Sequence, residues 1–189
     1  MMAWLLFLGC NSAPVIVVQE TSTHEERELH KVSETMDASL FKRGPQRHGG
    51  WQYPPDVRVC ATAPVTERRV EKGLDFWREL GYSFNRIYFN DVSRHCIDNI
   101  FSYNTIIIDL IDGTHREPVL ATTTSWIDRE TREILKAKIA LKNTWGEADR
   151  ILEHELGHAL GWLDYNQTGH IMHHEWSRGG LNTAGVEVQ

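Results

Sequence analysis

Apolar and polar positions along the chain change rhythm several times after Trp51, and each change predicts an element. Val57-Arg58-Val59-Cys60-Ala61 alternates as a strand does, just after the break at Pro54-Pro55. From Thr66 to Leu80 the apolar residues fall at 70, 74, 77 and 80, a helical spacing, and Gly81 supplies the stop. Phe84 to Phe89 and Asn104 to Ile111 read as the next strands. Ile106-Ile107-Ile108 is a continuous apolar run suited to a sheet covered on both faces.

Val119 to Trp126, the turn Asp128-Arg129-Glu130-Thr131, and Glu133 to Leu141 then form a hairpin pattern, with β-branched residues on its first arm. The second arm sets Ile134, Lys136 and Lys138 against Leu135, Ala137 and Ile139. We read 133–141 as an edge strand. An edge of this kind accepts an extended protein or peptide as one more strand, and lysines on it equally well serve only to prevent aggregation. Thr144-x-x-Glu147 is a capping box, which predicts a helix beginning near Trp145. Its apolar positions recur at 148, 151, 152, 156, 159, 160 and 163. Strands and helices in this order define an α/β (α+β) fold.

Composition narrows the function classes. A chain of 189 residues supports one domain with a real core. The net charge of −6 argues against nucleic acid as a partner, because the small basic cluster Lys42, Arg43 and Arg47 cannot neutralise many phosphates. Residues 1–18 read as a signal or lipoprotein-like segment, apolar from Met1 to Gly9 and followed by Cys10 as a lipidation site; the competing reading is a short buried strand or an uncleaved anchor. That places the protein outside the cytoplasm, either secreted or attached to a membrane of the cell envelope through Cys10. Residues 19–50 are polar and read as a tether or a short pro-segment, with a short helix near Glu25 to Met36 and Asp37 as a carboxylate able to block a metal. The remaining 51–189 form the functional domain, expected as a monomer. In an oxidising compartment Cys60 and Cys96 either pair or stay as buried thiols. Asp109 and Asp112 either serve a calcium ion or shape a turn.

The chemistry is concentrated in His154-Glu155-Leu156-Gly157-His158-Ala159-Leu160-Gly161-Trp162-Leu163-Asp164. Histidines four apart project from one helix face about a turn apart, so their imidazoles can meet on one metal ion. Glu155 lies beside them, next to the position of a metal-bound water. Gly161 is free to adopt the left-handed conformation that ends the helix and returns Asp164 toward the metal as a third ligand.

The pattern HExxHxxGxxD, with Met172 eight residues on in Gly169-His170-Ile171-Met172, resembles the metzincin clan of zinc endopeptidases. Its wording and spacing are most similar to the matrixin branch. The resemblance runs from about Val119 to Met172 and implies a zincin domain: a twisted, mostly parallel sheet with an antiparallel edge strand, a backing helix, an active-site helix, and a small C-terminal subdomain carrying the Met-turn. It implies that His154 and His158 bind one catalytic zinc, that Glu155 is the general base for peptide hydrolysis, and that Met172 lies beneath the metal. Most of that clan carries histidine where this chain carries Asp164, and an aspartate variant is known among snapalysin-like members. His170 is the alternative third ligand, with His173, His174 and Glu175 nearby. A non-catalytic surface protein with a structural zinc, its fourth ligand drawn from these histidines, is the competing function. Only the enzyme needs a base at Glu155.

Overall fold

The computed structural model describes residues 15–23, 44–97, 102–111 and 119–188. Cys10, the expected helix at 25–36, Asp37 and Asp112 lie outside them. The fold is mixed α/β, built on one six-stranded sheet. Its strands are β1 (Val15–Thr23), β2 (Asp56–Cys60), β3 (Ile87–Asp91), β4 (Thr105–Leu110), β5 (Val119–Asp128) and β6 (Ile134–Leu141), in the spatial order β1-β5-β6-β4-β2-β3. The pairs β2–β3, β2–β4 and β4–β6 are parallel, and β5 is antiparallel to both β6 and β1.

Strand β4 occupies the middle of the parallel half, and Ile106, Ile107 and Ile108 are all buried, as a run covered on both faces requires. Each such side chain contributes roughly 1.5–3 kcal/mol by leaving water. Helix α1 (Glu67–Glu79) follows β2 and helix α3 (Ile151–Ala159) follows β6, while α2 (Arg94–Ile97) is a single short turn that the sequence pattern did not announce. Val70, Leu74 and Trp77 of α1 and Leu152 and Leu156 of α3 join Val57, Val59, Ile106, Ile108, Ala137 and Ile139 in one core. Gly73 makes the helix contact close: a Cβ there would lie 3.2 Å from Leu156 and 3.3 Å from Leu152.

Helix α1 starts and stops where its sequence says. The Thr66 hydroxyl accepts from the Arg69 N–H, and Gly81 (φ 95°) closes the far end by donating to the Arg78 carbonyl. The hairpin also forms as expected, its turn held by Asp128, whose carboxylate accepts from the N–H groups of Glu130 and Thr131.

Three expectations are corrected. The helix after the hairpin begins at Ile151, not near Trp145, because Glu147 caps a different helix: its carboxylate accepts from the Thr66 N–H and hydroxyl at the start of α1. Arg150, left-handed at φ 72°, enters α3 instead, without a side-chain cap. Strand β6 (134–141) is not an edge, since β5 and β4 pair with its two sides and leave it no free ladder for a peptide. Finally, residues 44–50 are not part of a loose tether. The N–H of His48 donates to the Gly161 carbonyl, the Arg47 guanidinium to that of Leu160, and the Trp51 indole to that of Ala159. This strap satisfies carbonyls that the end of α3 would otherwise leave unpaired. Strand β1 spans the expected boundary between leader and tether at residue 18.

Cys60 and Cys96 form a disulfide between the end of β2 and α2. Among the described residues no helix is long and apolar enough to cross a membrane.

Candidate metal centre

All nine residues of α3 are buried, an unusual setting for two histidines and two glutamates. Buried polar groups need partners, and each of these has one. The Glu153 carboxylate takes a two-pronged contact from the Arg69 guanidinium of α1, and the Trp77 indole donates to the Glu153 carbonyl. These contacts fix the rotation of α3 about its axis, and so fix the direction in which His154 and His158 point.

Each histidine uses its Nδ1 on a backbone carbonyl 2.8 Å away, His154 on Ile171 and His158 on Trp162. A carbonyl only accepts, so both Nδ1 atoms carry hydrogen and both Nε2 atoms face inward, able to share one proton or to bind a metal. The two Nε2 atoms are 3.0 Å apart, and Oδ1 of Asp164 lies 3.6 Å from one and 3.5 Å from the other. Among the described residues these three form the one group of histidine, cysteine and carboxylate side chains whose ligand atoms all fall within 4.8 Å of one another. Two inward lone pairs at that distance repel unless a proton or a cation lies between them. Two imidazole nitrogens and a carboxylate oxygen are a donor set that suits zinc.

The charge balance agrees. Burial and the neighbouring His158 push His154 down to about 4. Burial also opposes charge on His158, but Asp164 and Glu155 outweigh it and raise that imidazole to about 9. Burial alone would raise Asp164; contact with His158 and His154 leaves its carboxyl below the ordinary range. One positive charge is therefore accommodated between the two rings and the carboxylate.

Gly161 reaches φ 102°, and a Cβ there would meet the Gly49 carbonyl oxygen at 2.2 Å, so the turn that delivers Asp164 requires glycine on both counts. Met172 is fully buried against α3. A Cβ on Gly157 would stand 2.3 Å from its sulfur and 2.8 Å from Trp77. The glycine between the two histidines thus exists to admit Met172, whose neighbour Ile171 orients His154.

His170, the alternative third ligand, is turned away. Its Nδ1 accepts from the Met172 N–H and its Nε2 faces the Ala184 carbonyl at 3.3 Å. His173 accepts from the Glu175 N–H, and His174 contacts Asn166 and Glu175. These residues shape the C-terminal loop. The Asp109 carboxylate accepts from the Thr62 hydroxyl at 2.6 Å and pairs with Lys138 at 3.1 Å.

Two site residues were not singled out by the sequence. Thr123 on β5 donates its hydroxyl to Glu155 Oε2 at 2.6 Å and lies 3.2 Å from the Glu155 carbonyl. A threonine in a β-branched strand carries no signal that separates this use from ordinary strand packing. His48 is buried at the far end of α3, and burial, with positive charge nearby at His158, Arg132 and Arg47, pushes it down to about 4.

No protein-family model matches this chain, and neither does any curated protein or solved structure.

Proposed function

We propose that the protein is a zinc-dependent endopeptidase of metzincin-like architecture, in which His154, His158 and Asp164 hold the metal and Glu155 is the general base. The observation that carries this reading is the pair of inward-facing Nε2 atoms 3.0 Å apart, closed by Asp164, with a buried glutamate on the residue after the first histidine. A zinc ion held there supplies Lewis acidity toward a carbonyl and brings the pKa of a water molecule toward neutrality. Glu155 accepts a proton from the attacking water and returns it to the leaving amine. Thr123 fixes the Glu155 carboxylate by one short hydrogen bond, so its base is presented in one orientation. Ile171 and Trp162 fix the imidazole rings, and Met172 supports the helix under them.

A carboxylate as third ligand lowers the net charge on the metal relative to three neutral imidazoles, and so tempers its acidity. The substrate is a peptide in extended form, and Thr123 of β5 lies beside Glu155 at the site that would cleave it. The Cys60–Cys96 disulfide supports an enzyme working outside the cytoplasm.

The test is digestion of casein or gelatin by the zinc-loaded chain, with chelator and zinc restoration as controls. Glu155→Ala is expected to retain near-stoichiometric zinc and to lose cleavage. Undiminished cleavage by that variant would remove Glu155 from its role, and no cleavage by the wild-type chain across a broad substrate panel would remove the function.

A further inference from the structure

The strap over the end of α3 also forms one wall of a cavity, which lies between the strap and the β5–β6 turn. It measures about 620 Å³, and Arg47, His48, Gly50, Trp51, Arg132 and Glu133 are among its lining residues. That volume suits a small organic ligand or the end of a peptide. Backbone pairing fixes the walls: the His48 N–H donates to the Gly161 carbonyl, the Gly50 N–H to that of Arg132, and the Ile134 N–H to that of Gly50. His48 is therefore held between helix and hairpin.

His48 is 7% exposed, and neither of its ring nitrogens has a hydrogen-bond partner among the described residues. Buried polar groups are ordinarily paired, so an imidazole held in this way costs the fold stability. Burial, followed by the positive charge of His158, Arg132 and Arg47, keeps the ring neutral at ordinary pH. A neutral imidazole offers one N–H donor and one acceptor. Arg47 gives one N–H to the Leu160 carbonyl and lies over the Trp162 ring at 5.2 Å. Among the described residues neither its guanidinium nor that of Arg132 is paired with a carboxylate. Two guanidiniums against the single carboxylate of Glu133 leave one positive charge unbalanced in the cavity wall. A monoanion that accepts from a guanidinium fork and from an imidazole N–H completes this set, and a planar carboxylate has that shape.

We infer that this cavity is a carboxylate-binding site, in which Arg47 and Arg132 supply the charge and His48 supplies a buried N–H donor. The site is independent of the proposed peptidase and of its metal. Its carboxylate comes either from a free small acid or from the C-terminus of a peptide. The terminal residue of a peptide also carries an amide N–H, which the second ring nitrogen of His48 can accept.

The experiment titrates the full zinc-loaded chain with sodium acetate, with N-acetyl-tetraglycine and with the C-terminal amide of that peptide, against sodium chloride at equal ionic strength. Nitrogen chemical shifts of the His48 ring and of Arg132 Nε are followed. Saturable shifts at both groups are expected with acetate and with the peptide acid, and none with the amide or chloride. Tighter binding of the peptide acid than of acetate identifies a chain terminus as the ligand, and equal binding a free acid; both uphold the site. The same shifts should persist after zinc is removed by chelator, which separates this cavity from the metal centre. Arg132→Gln replaces an exposed side chain and should weaken binding by roughly tenfold to a hundredfold. His48→Leu should weaken it as well, yet melt about 2–4 °C higher, because the buried orphan is gone. Shifts that saturate equally with chloride, or affinity that neither variant weakens, would overturn the inference. A His48→Leu chain that melts lower and binds acetate as well as the wild type would overturn the role of His48.

Discussion

At the scale of single residues, the site sets the buried polar groups of α3, each held by a partner outside the helix, against the exposed carboxylate of Asp164. Thr123 is the least expected of them. Replacing it with valine keeps the shape and removes the one short bond to the Glu155 carboxylate. A hydrogen bond to a charged group is worth about 1.5–3 kcal/mol, so Thr123→Val should lower kcat by roughly tenfold to a hundredfold. Thr123→Ser should restore it. A Thr123→Val chain with undiminished kcat would make the residue a packing element only.

The histidine pair gives a second prediction at this scale. With His158 raised to about 9 by Asp164 and Glu155 against the cost of burial, the metal-free site carries a proton at neutral pH. Metal must displace it. Zinc affinity should therefore climb with pH by roughly tenfold per unit between about pH 6 and 8, with about one proton released per ion. Calorimetry in buffers of different ionisation enthalpy reads that number directly, and a pH-independent affinity would mean that the free site holds no such proton.

At the scale of elements, α3 is positioned from three sides: by α1 through Arg69, by β5 through Thr123, and by the strap at 46–51 over its last carbonyls. The periodicity of α1 and the hairpin was legible because each buries one face, and a one-sided pattern survives in the sequence. The start of α3 was not legible. Its nine residues are buried all round, which leaves no period at the boundary, and the capping box that pointed to Trp145 is used across space to begin α1. The edge assignment of 133–141 failed for a related reason: lysines at 136 and 138 suggested exposure, but Lys136 lies buried over the Trp126 ring and Lys138 pairs with Asp109. Gly157 tests the packing of α3. An exposed helix would gain stability from Gly→Ala. Here a Cβ would overlap Met172 and Trp77, so Gly157→Ala should cost about 1–3 kcal/mol and weaken zinc binding, as thermal unfolding with and without metal would show. A stabilised variant would contradict the Met172 contact.

At the scale of the whole molecule, the sequence pattern led to the α/β class and to the cluster of His154, His158 and Asp164, because these three lie within one helix and its turn. It did not reveal contacts that close over long separations. The N-terminal strand on β5 and the strap on α3 come from a stretch with no regular apolar period, and backbone pairing leaves little trace in side-chain type. The Cys60–Cys96 bond joins β2 to the segment after β3 across 36 positions. Alkylation mapping of the folded chain should find neither cysteine reactive before reduction, and the paired Cys60→Ala, Cys96→Ala variant should lose about 2–4 kcal/mol of stability. Free thiols at both positions would remove that staple.

The two imidazoles and Asp164 are proposed to hold a zinc ion on one side and to leave it accessible on the other. Anomalous diffraction at the zinc edge from crystals of the zinc-loaded chain tests it most directly. One ion is expected, bound by Nε2 of His154, Nε2 of His158 and a carboxylate oxygen of Asp164, with its remaining position facing solvent beside Glu155. An ion closed off by a fourth protein ligand, or one bound through His170 in place of Asp164, would contradict it.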